Sequence, residues 1–229
     1  MDPAAEVVKK KLESTLCVIC GVNPPTTGQG DHIPPKSLYT RGERSSVRWQ
    51  FHTVPACQQC NVGGSADDEA LKLAIGIETG ELRGSPDEMI ESLAATIGKN
   101  RRLADQVFRT RQNVEVRDAS GSTKSMVRVE FDIGSYTKSI GRQARGLYWR
   151  ITGRILHPRS TVRILPSSPL TDELKANIEE VFAQAPVTKL NGGTFRCQLV
   201  PQGDAELMRL EYFGKHKAYA VIRHMDPPE

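Results

Sequence analysis

From residue 136 to residue 156 the apolar side chains Ile140, Ala144, Leu147, Tyr148, Ile151 and Ile155 recur every third or fourth position. That spacing predicts a helix with one buried face, and Lys138, Arg142 and Arg145 fall on its other face. Upstream, Asp67, Asp68 and Glu69 precede Ala70, Leu71, Leu73 and Ile75, so a helix capped by Ser65 or Asp67 is expected after the second cysteine pair. Ser85, Pro86 and Glu88 supply an N-cap, a first-turn proline and a capping-box acid for a helix to about residue 97. Another helix is expected over 100–112. Alternating residues over 114–116 and 126–133, separated by Ala119-Ser120-Gly121-Ser122, predict two strands joined by a turn. Beyond them the pattern predicts a strand over 162–165, a helix over 170–183 and strands near 194–200, 206–213 and 218–223.

The N-terminal third reads differently. Val7, Val8 and Leu12 stand at helical spacing within 4–16, but from Cys17 to Gly64 the chain is rich in Pro, Gly and Thr and has little periodicity. One exception is 46–54, where Val47, Trp49 and Phe51 alternate as in a strand. No repeat is present. The fold class is α+β, with a loop-dominated module over 1–78, a helical connector over 79–113 and an α+β accessory domain over 114–229 whose sheet is mostly antiparallel.

Composition narrows the setting more than the fold. Of 229 residues 38% are hydrophobic and 25% charged, as in an ordinary folded protein. No apolar run approaches the roughly 20 residues that span a bilayer, and residues 1–6 lack the basic and apolar regions of a secretory signal, so a cytoplasmic location is expected. The net charge of +4 conceals an asymmetry. Residues 98–163 hold 15 Lys and Arg against 5 Asp and Glu, a net of +10, which leaves −6 for the rest. A local excess of that size suits a polyanion, and nucleic acid is the natural candidate.

The cysteines explain what holds the loop-rich third. Four of five form two C-x-x-C pairs, Cys17-Val18-Ile19-Cys20 and Cys57-Gln58-Gln59-Cys60, and only Cys197 is left over. Two such turns bring four thiolates onto one tetrahedral zinc ion, and an odd count argues against a disulfide framework. No βαβ pattern surrounds either pair, which disfavours thiol redox chemistry. Cys197 reads as a small buried strand residue. The 36 residues between the pairs exceed the usual ribbon spacing, and they carry Asp31-His32-Ile33-Pro34-Pro35 and His52, with Asn61 just after the last cysteine.

These three blocks, Cys17 to Cys20, Asp31 to Leu38 and Val54 to Asn61, resemble the HNH, or ββα-metal, endonucleases in their zinc-stapled form, over about the first third of the chain. The resemblance implies His32 as general base, Asp31 and Asn61 as ligands of one divalent cation, and the residue at position 52 as the one that orients the base. That position is usually asparagine and is His52 here. The chemistry agrees with the residue types: a near-neutral imidazole takes a proton from water, and Asp and Asn oxygens suit Mg²⁺ or Mn²⁺ where four sulfurs suit zinc. The expected partner is DNA, with RNA not excluded and a regulatory protein or a second copy also allowed for. Lys36, Arg41, Arg44 and Arg48 beside the centre, and Lys99, Arg101, Arg102, Arg109, Arg111, Lys138, Arg142 and Arg145 further on, are the candidate phosphate contacts. The resemblance implies a bacterial or phage setting such as defence or mobile-element processing, and weaker likenesses to the same family lie in 145–149 and 208–214. A rival reading is a zinc-stabilised binding module that does not cut, favoured by the histidine at position 52.

Overall fold

A computed structural model describes residues 14–26, 30–45, 51–80, 86–117, 121–167 and 170–225. The expected helix over 4–16 therefore lies almost wholly outside the described residues, as do 46–50 of the expected strand with Val47, Arg48 and Trp49.

The organising element is the long helix that the hydrophobic period predicts. It runs Ile133–Thr152, with the Asp132 carboxylate accepting from the Ser135 amide at 3.0 Å and Gly153 closing it at φ 74°, a left-handed position that favours glycine. Its buried face carries Tyr136, Ile140, Ala144 and Leu147, none with any exposed surface. We number helices and strands in chain order, which makes this helix α6.

One side of α6 covers a five-stranded antiparallel sheet of order β5-β9-β8-β7-β6. The strands are β5 (Thr161–Pro166), β6 (Thr188–Leu190), β7 (Phe195–Gln202), β8 (Ala205–Tyr212) and β9 (His216–Arg223). Alternation sorts their side chains: Met208, Leu210 and Tyr212 lie beside Ala218, Ala220 and Ile222, all fully buried, on the face toward α6. The opposite face receives α7 (Asp172–Phe182), whose Glu179 accepts from Lys217 at 2.8 Å and Tyr219 at 2.7 Å. Helix, sheet and helix thus form three layers. Cys197 is buried on β7, as expected of a small strand residue.

The other side of α6 meets the N-terminal third. There β1 (Gly30–His32) pairs antiparallel with β2 (Thr53–Pro55), followed by α2 (Gln58–Gly63) and α3 (Ser65–Thr79). A short helix α1 (Arg41–Ser45) and a 3₁₀ turn (Lys36–Leu38) lie between the strands. Helices α4 (Pro86–Lys99) and α5 (Arg101–Thr110) follow, and Asn100 caps α5 by accepting from the Leu103 amide. Two further strands, β3 (Gln112–Arg117) and β4 (Thr123–Arg128), form a separate hairpin.

One cluster of buried residues unites Cys17, Val18, Ile33, Val54, Leu71, Ile140, Leu147, Leu210 and Ile222, so a single core extends from the cysteine knuckles to the last strand. A second tie is polar. Tyr136 donates its hydroxyl to His216 Nε2 at 2.8 Å, and His216 Nδ1–H donates to Glu78 at 2.5 Å, joining α6, β9 and the end of α3. Among the described residues no helix is long and apolar enough to cross a membrane.

Candidate metal centre and reactive site

The two C-x-x-C turns close on one point. The sulfur atoms of Cys17, Cys20, Cys57 and Cys60 all lie within 4.8 Å of one another, and Cys20 and Cys57 are 4.0 Å apart. Tetrahedral zinc with bonds of about 2.3 Å would set sulfurs about 3.8 Å apart, so the donor set fits the ion. The local chain explains the convergence. The Gly21 amide donates to Cys17 O at 2.8 Å in a turn whose φ of 69° favours glycine, and a Cβ there would press on Leu156 O at 3.1 Å. Cys57 sits at the N-cap of α2, which places Cys60 one turn into that helix. Burial raises the Cys20 thiol, but amides of Asn23 and Val22 and the neighbouring thiols outweigh it and bring it down to about 7. Burial drives the Cys17 and Cys60 thiols upward.

Beside this cluster the β1–β2 ladder places Asp31 opposite Val54 and His32 opposite Thr53. Successive residues of a strand face opposite sides. Asp31 accordingly enters the packed face, where Ile33 and Val54 are also buried, while His32 stays half-buried on the other. His32 meets the edge of Phe51 at 6.4 Å between ring centroids, and Lys36 Nζ lies 5.4 Å from the same ring. Burial, and then the Lys36 charge, lower the His32 pKa and keep the imidazole neutral, the form that accepts a proton.

Asp31 is engaged from α6. Its Oδ2 lies 3.2 Å from Arg142 Nε, and the same guanidinium donates to Asp68 Oδ1 at 2.7 Å. Arg142 and Asp31 have side chains only 10% and 9% exposed, and Asp68, which also accepts from Ser139 at 2.6 Å, is 14% exposed. The guanidinium fits because Gly64 has no side chain: a Cβ there would lie 1.0 Å from Arg142 Nη1. Burial raises the Asp31 pKa to about 6 against the opposing pull of Arg142, and raises Asp68 for the same reason.

Arg142, expected on the free basic face of α6, is therefore an internal counter-charge. Asp31, expected as a cation ligand, has its Oδ2 paired with Arg142 in this arrangement. Among the described residues the four cysteines are the one group of three or more His, Cys, Asp or Glu able to hold a metal. Asn61 lies partly buried on α2, its amide bonded to Cys57 O at 3.0 Å.

His52 is held the same way. Arg150 Nη2 donates to its Nδ1 at 2.9 Å, which leaves the remaining proton of the neutral ring on Nε2. Burial, reinforced by Arg150, lowers its pKa to about 4. No side-chain hydrogen bond joins His32, Asp31, His52 and Asn61 to one another among the described residues; the His52 backbone carbonyl accepts from the amide of Ile33, the residue after His32, at 2.9 Å.

Of the other expected basic contacts, Lys36, Arg41 and Arg44 are exposed beside the site, while Arg48 lies outside the described residues. Arg145 is turned inward and donates to Ser160 O at 2.6 Å and His157 O at 3.5 Å. A cleft of 530 Å³ next to Cys20 is lined by Lys138, Arg142 and Arg145 with Ile19 and Ile164, but not by His32. The reading by sequence missed Asp68 and Arg150. The signal was present in the spacing of Arg142, Gly146 and Arg150, four apart on α6: these meet Asp31, Ile33 and His52 in turn, and a Cβ on Gly146 would lie 2.1 Å from Ile33 Cδ1.

No protein-family model, curated protein or solved structure matches the chain.

Proposed function

We propose that the chain is a zinc-stapled endonuclease of the HNH kind that hydrolyses DNA phosphodiester bonds, with His32 as general base. What supports this reading is the pairing of β1 with β2, with a 3₁₀ turn and α1 in the connection between them, followed at once by α2, so that Asp31-His32 stand on the first strand and Asn61 on the helix that carries Cys60. In the proposed step a neutral His32 takes a proton from water as the water oxygen bonds to phosphorus and the bond to the leaving oxygen breaks. The exposed Lys36 stands beside His32 to meet a phosphate oxygen. Zinc on the four thiolates would be structural, tying the turn of Cys17 and Cys20 to the start of α2 at Cys57 and Cys60. Mg²⁺ or Mn²⁺ would be held by Asp31 and Asn61, with Arg142 paired to the Oδ2 of the same carboxylate.

A second reading, a zinc-stabilised binding module that does not cut, has one specific observation in its favour: Arg142 and Arg150 bind Asp31 and His52, the side chains a nuclease would use. Nicking of supercoiled plasmid separates the two. With zinc retained and Mg²⁺ or Mn²⁺ added, the wild-type chain is expected to nick DNA and His32→Ala to lose at least 100-fold in rate. A wild-type chain that leaves plasmid intact with every divalent ion supports the binding module.

A further inference from the structure

The hairpin β3–β4 belongs to neither the core nor the five-stranded sheet. Its strands pair with each other over Gln112↔Arg128 to Arg117↔Thr123. Of the ten side chains described in it, all but Val114 are exposed, with Val116 at 44% and Val127 at 55%. An isolated two-stranded ribbon is marginal in water and gains from a partner. It is tethered at its foot, where the Thr110 hydroxyl accepts from the Glu130 amide at 3.0 Å and donates to Glu130 O at 3.3 Å.

The register sorts its side chains. One face brings Asn113, Glu115 and Arg117 opposite Val127, Ser125 and Thr123. Four of these, Asn, Arg, Ser and Thr, hydrogen-bond to base edges, and Glu accepts from the cytosine amino group. At the foot stand Arg109, Arg111 and Arg128, all exposed. The ribbon lies within the segment whose net charge is +10.

We propose that this ribbon enters the major groove of duplex DNA, with the face of Asn113, Arg117, Thr123 and Ser125 toward the bases and Arg109, Arg111 and Arg128 on the phosphates. Size and charge agree. Six residues per strand give a length of about 20 Å, and a groove about 12 Å wide admits a two-stranded ribbon. The major groove of A-form RNA is too deep and narrow for it, so the inference selects DNA over RNA as the duplex bound. It rests on the nuclease reading only for why the chain would bind DNA.

The test is fluorescence anisotropy with a labelled B-form duplex in the His32→Ala background, so that cleavage and binding are read separately. Arg111→Glu with Arg128→Glu is expected to weaken binding at least tenfold near 100 mM salt on every sequence and to flatten the dependence of log affinity on log salt by about two. Arg117→Ala should instead relax base preference, read by competition among randomised duplexes. Because these side chains are exposed, melting temperatures should not move, and Arg111→Gln with Arg128→Gln should give a smaller loss in the same direction. Unchanged affinity in both charge variants overturns the proposal, as does an equal loss on an RNA duplex, or light scattering that shows the ribbon instead joins two copies of the chain. Ribbon-dependent binding without plasmid nicking would sink the nuclease reading alone; nicking and binding indifferent to the ribbon would sink the ribbon alone.

Discussion

The cysteine-bracketed third and the five-stranded sheet are two solutions to one problem, how to fix a short chain segment. In the first, β1 and β2 have three residues each and pair over three positions. In the second, β7, β8 and β9 pair over eight, with a fully buried row on each of β8 and β9. Eight residues per strand bury enough apolar surface to offset their own ordering, whereas three do not. The difference teaches that the N-terminal unit must borrow its stability: from a cluster of four cysteines able to hold a metal on one side, and from two arginines and a glycine of α6 on the other.

Loss of the metal should show this most strongly. Structural zinc contributes about 10–16 kcal/mol in small zinc modules, as much as a whole domain's typical stability of about 5–15 kcal/mol. Chelation, or Cys57→Ser, is expected to strip hydrogen-exchange protection from residues 51–63 while the amides of β7 to β9 keep theirs. Melting should fall by roughly 10 °C or more, given about 2–4 °C per kcal/mol at this size. Equal retention in both regions would remove the distinction between them.

Next in size is Arg142→Met. It strands two buried carboxylates, a change that typically costs about 3–5 kcal/mol. Urea unfolding should show that loss, and replacing Asp31 and Asp68 by Asn in the same chain should recover most of it. A loss below about 1 kcal/mol would mean that Arg142 does not hold the unit to α6.

The smallest effect is in pH. The folded-state pKa of His52, about 4, lies below its value in an unfolded chain, about 6.5. As pH falls from 6.5 the unfolded state takes the proton first, so this group's contribution to stability is present above 6.5 and drains away toward 4. Asp31 acts oppositely: at about 6 its folded pKa is above the ordinary carboxylate value, and it takes protons in the folded state first. The difference between wild type and His52→Asn isolates the histidine, and the variant should lose less stability between pH 6.5 and 4. Parallel curves would show that Arg150 does not keep His52 neutral.

The sheet and its two helices were legible because their stability comes from periodic burial, which the residue pattern records directly. The long helix was expected over 136–156 and lies at Ile133–Thr152; the strand expected over 206–213 is Ala205–Tyr212. The cysteine cluster was legible for another reason, since ligand spacing is a local signal. What the pattern did not yield was β1, β6 and α2, whose three to six residues are fixed by neighbours rather than by their own alternation. Nor did it yield the fate of Arg142. On a helical wheel a charged residue reads as solvated, and only the depth of Asp31 and Asp68 and the bare backbone of Gly64 turn that side chain inward.

The order of synthesis gives the α6 stripe a further meaning. The ribosome delivers the cysteines, Asp31 and His52 long before Arg142, Gly146 and Arg150 emerge. Until then a metal can already gather the knuckles, but Asp31 must remain in water, since its only buried counter-charge has not been made. The N-terminal unit thus has its metal-ligating cysteines at hand from the start but completes its packing only on a helix whose Arg142 is translated some 80 residues after Cys60. A shortened chain ending near residue 80 would keep all four cysteines of the cluster and lose the partners of Asp31 and His52, and the half-finished unit on the ribosome is in the same condition.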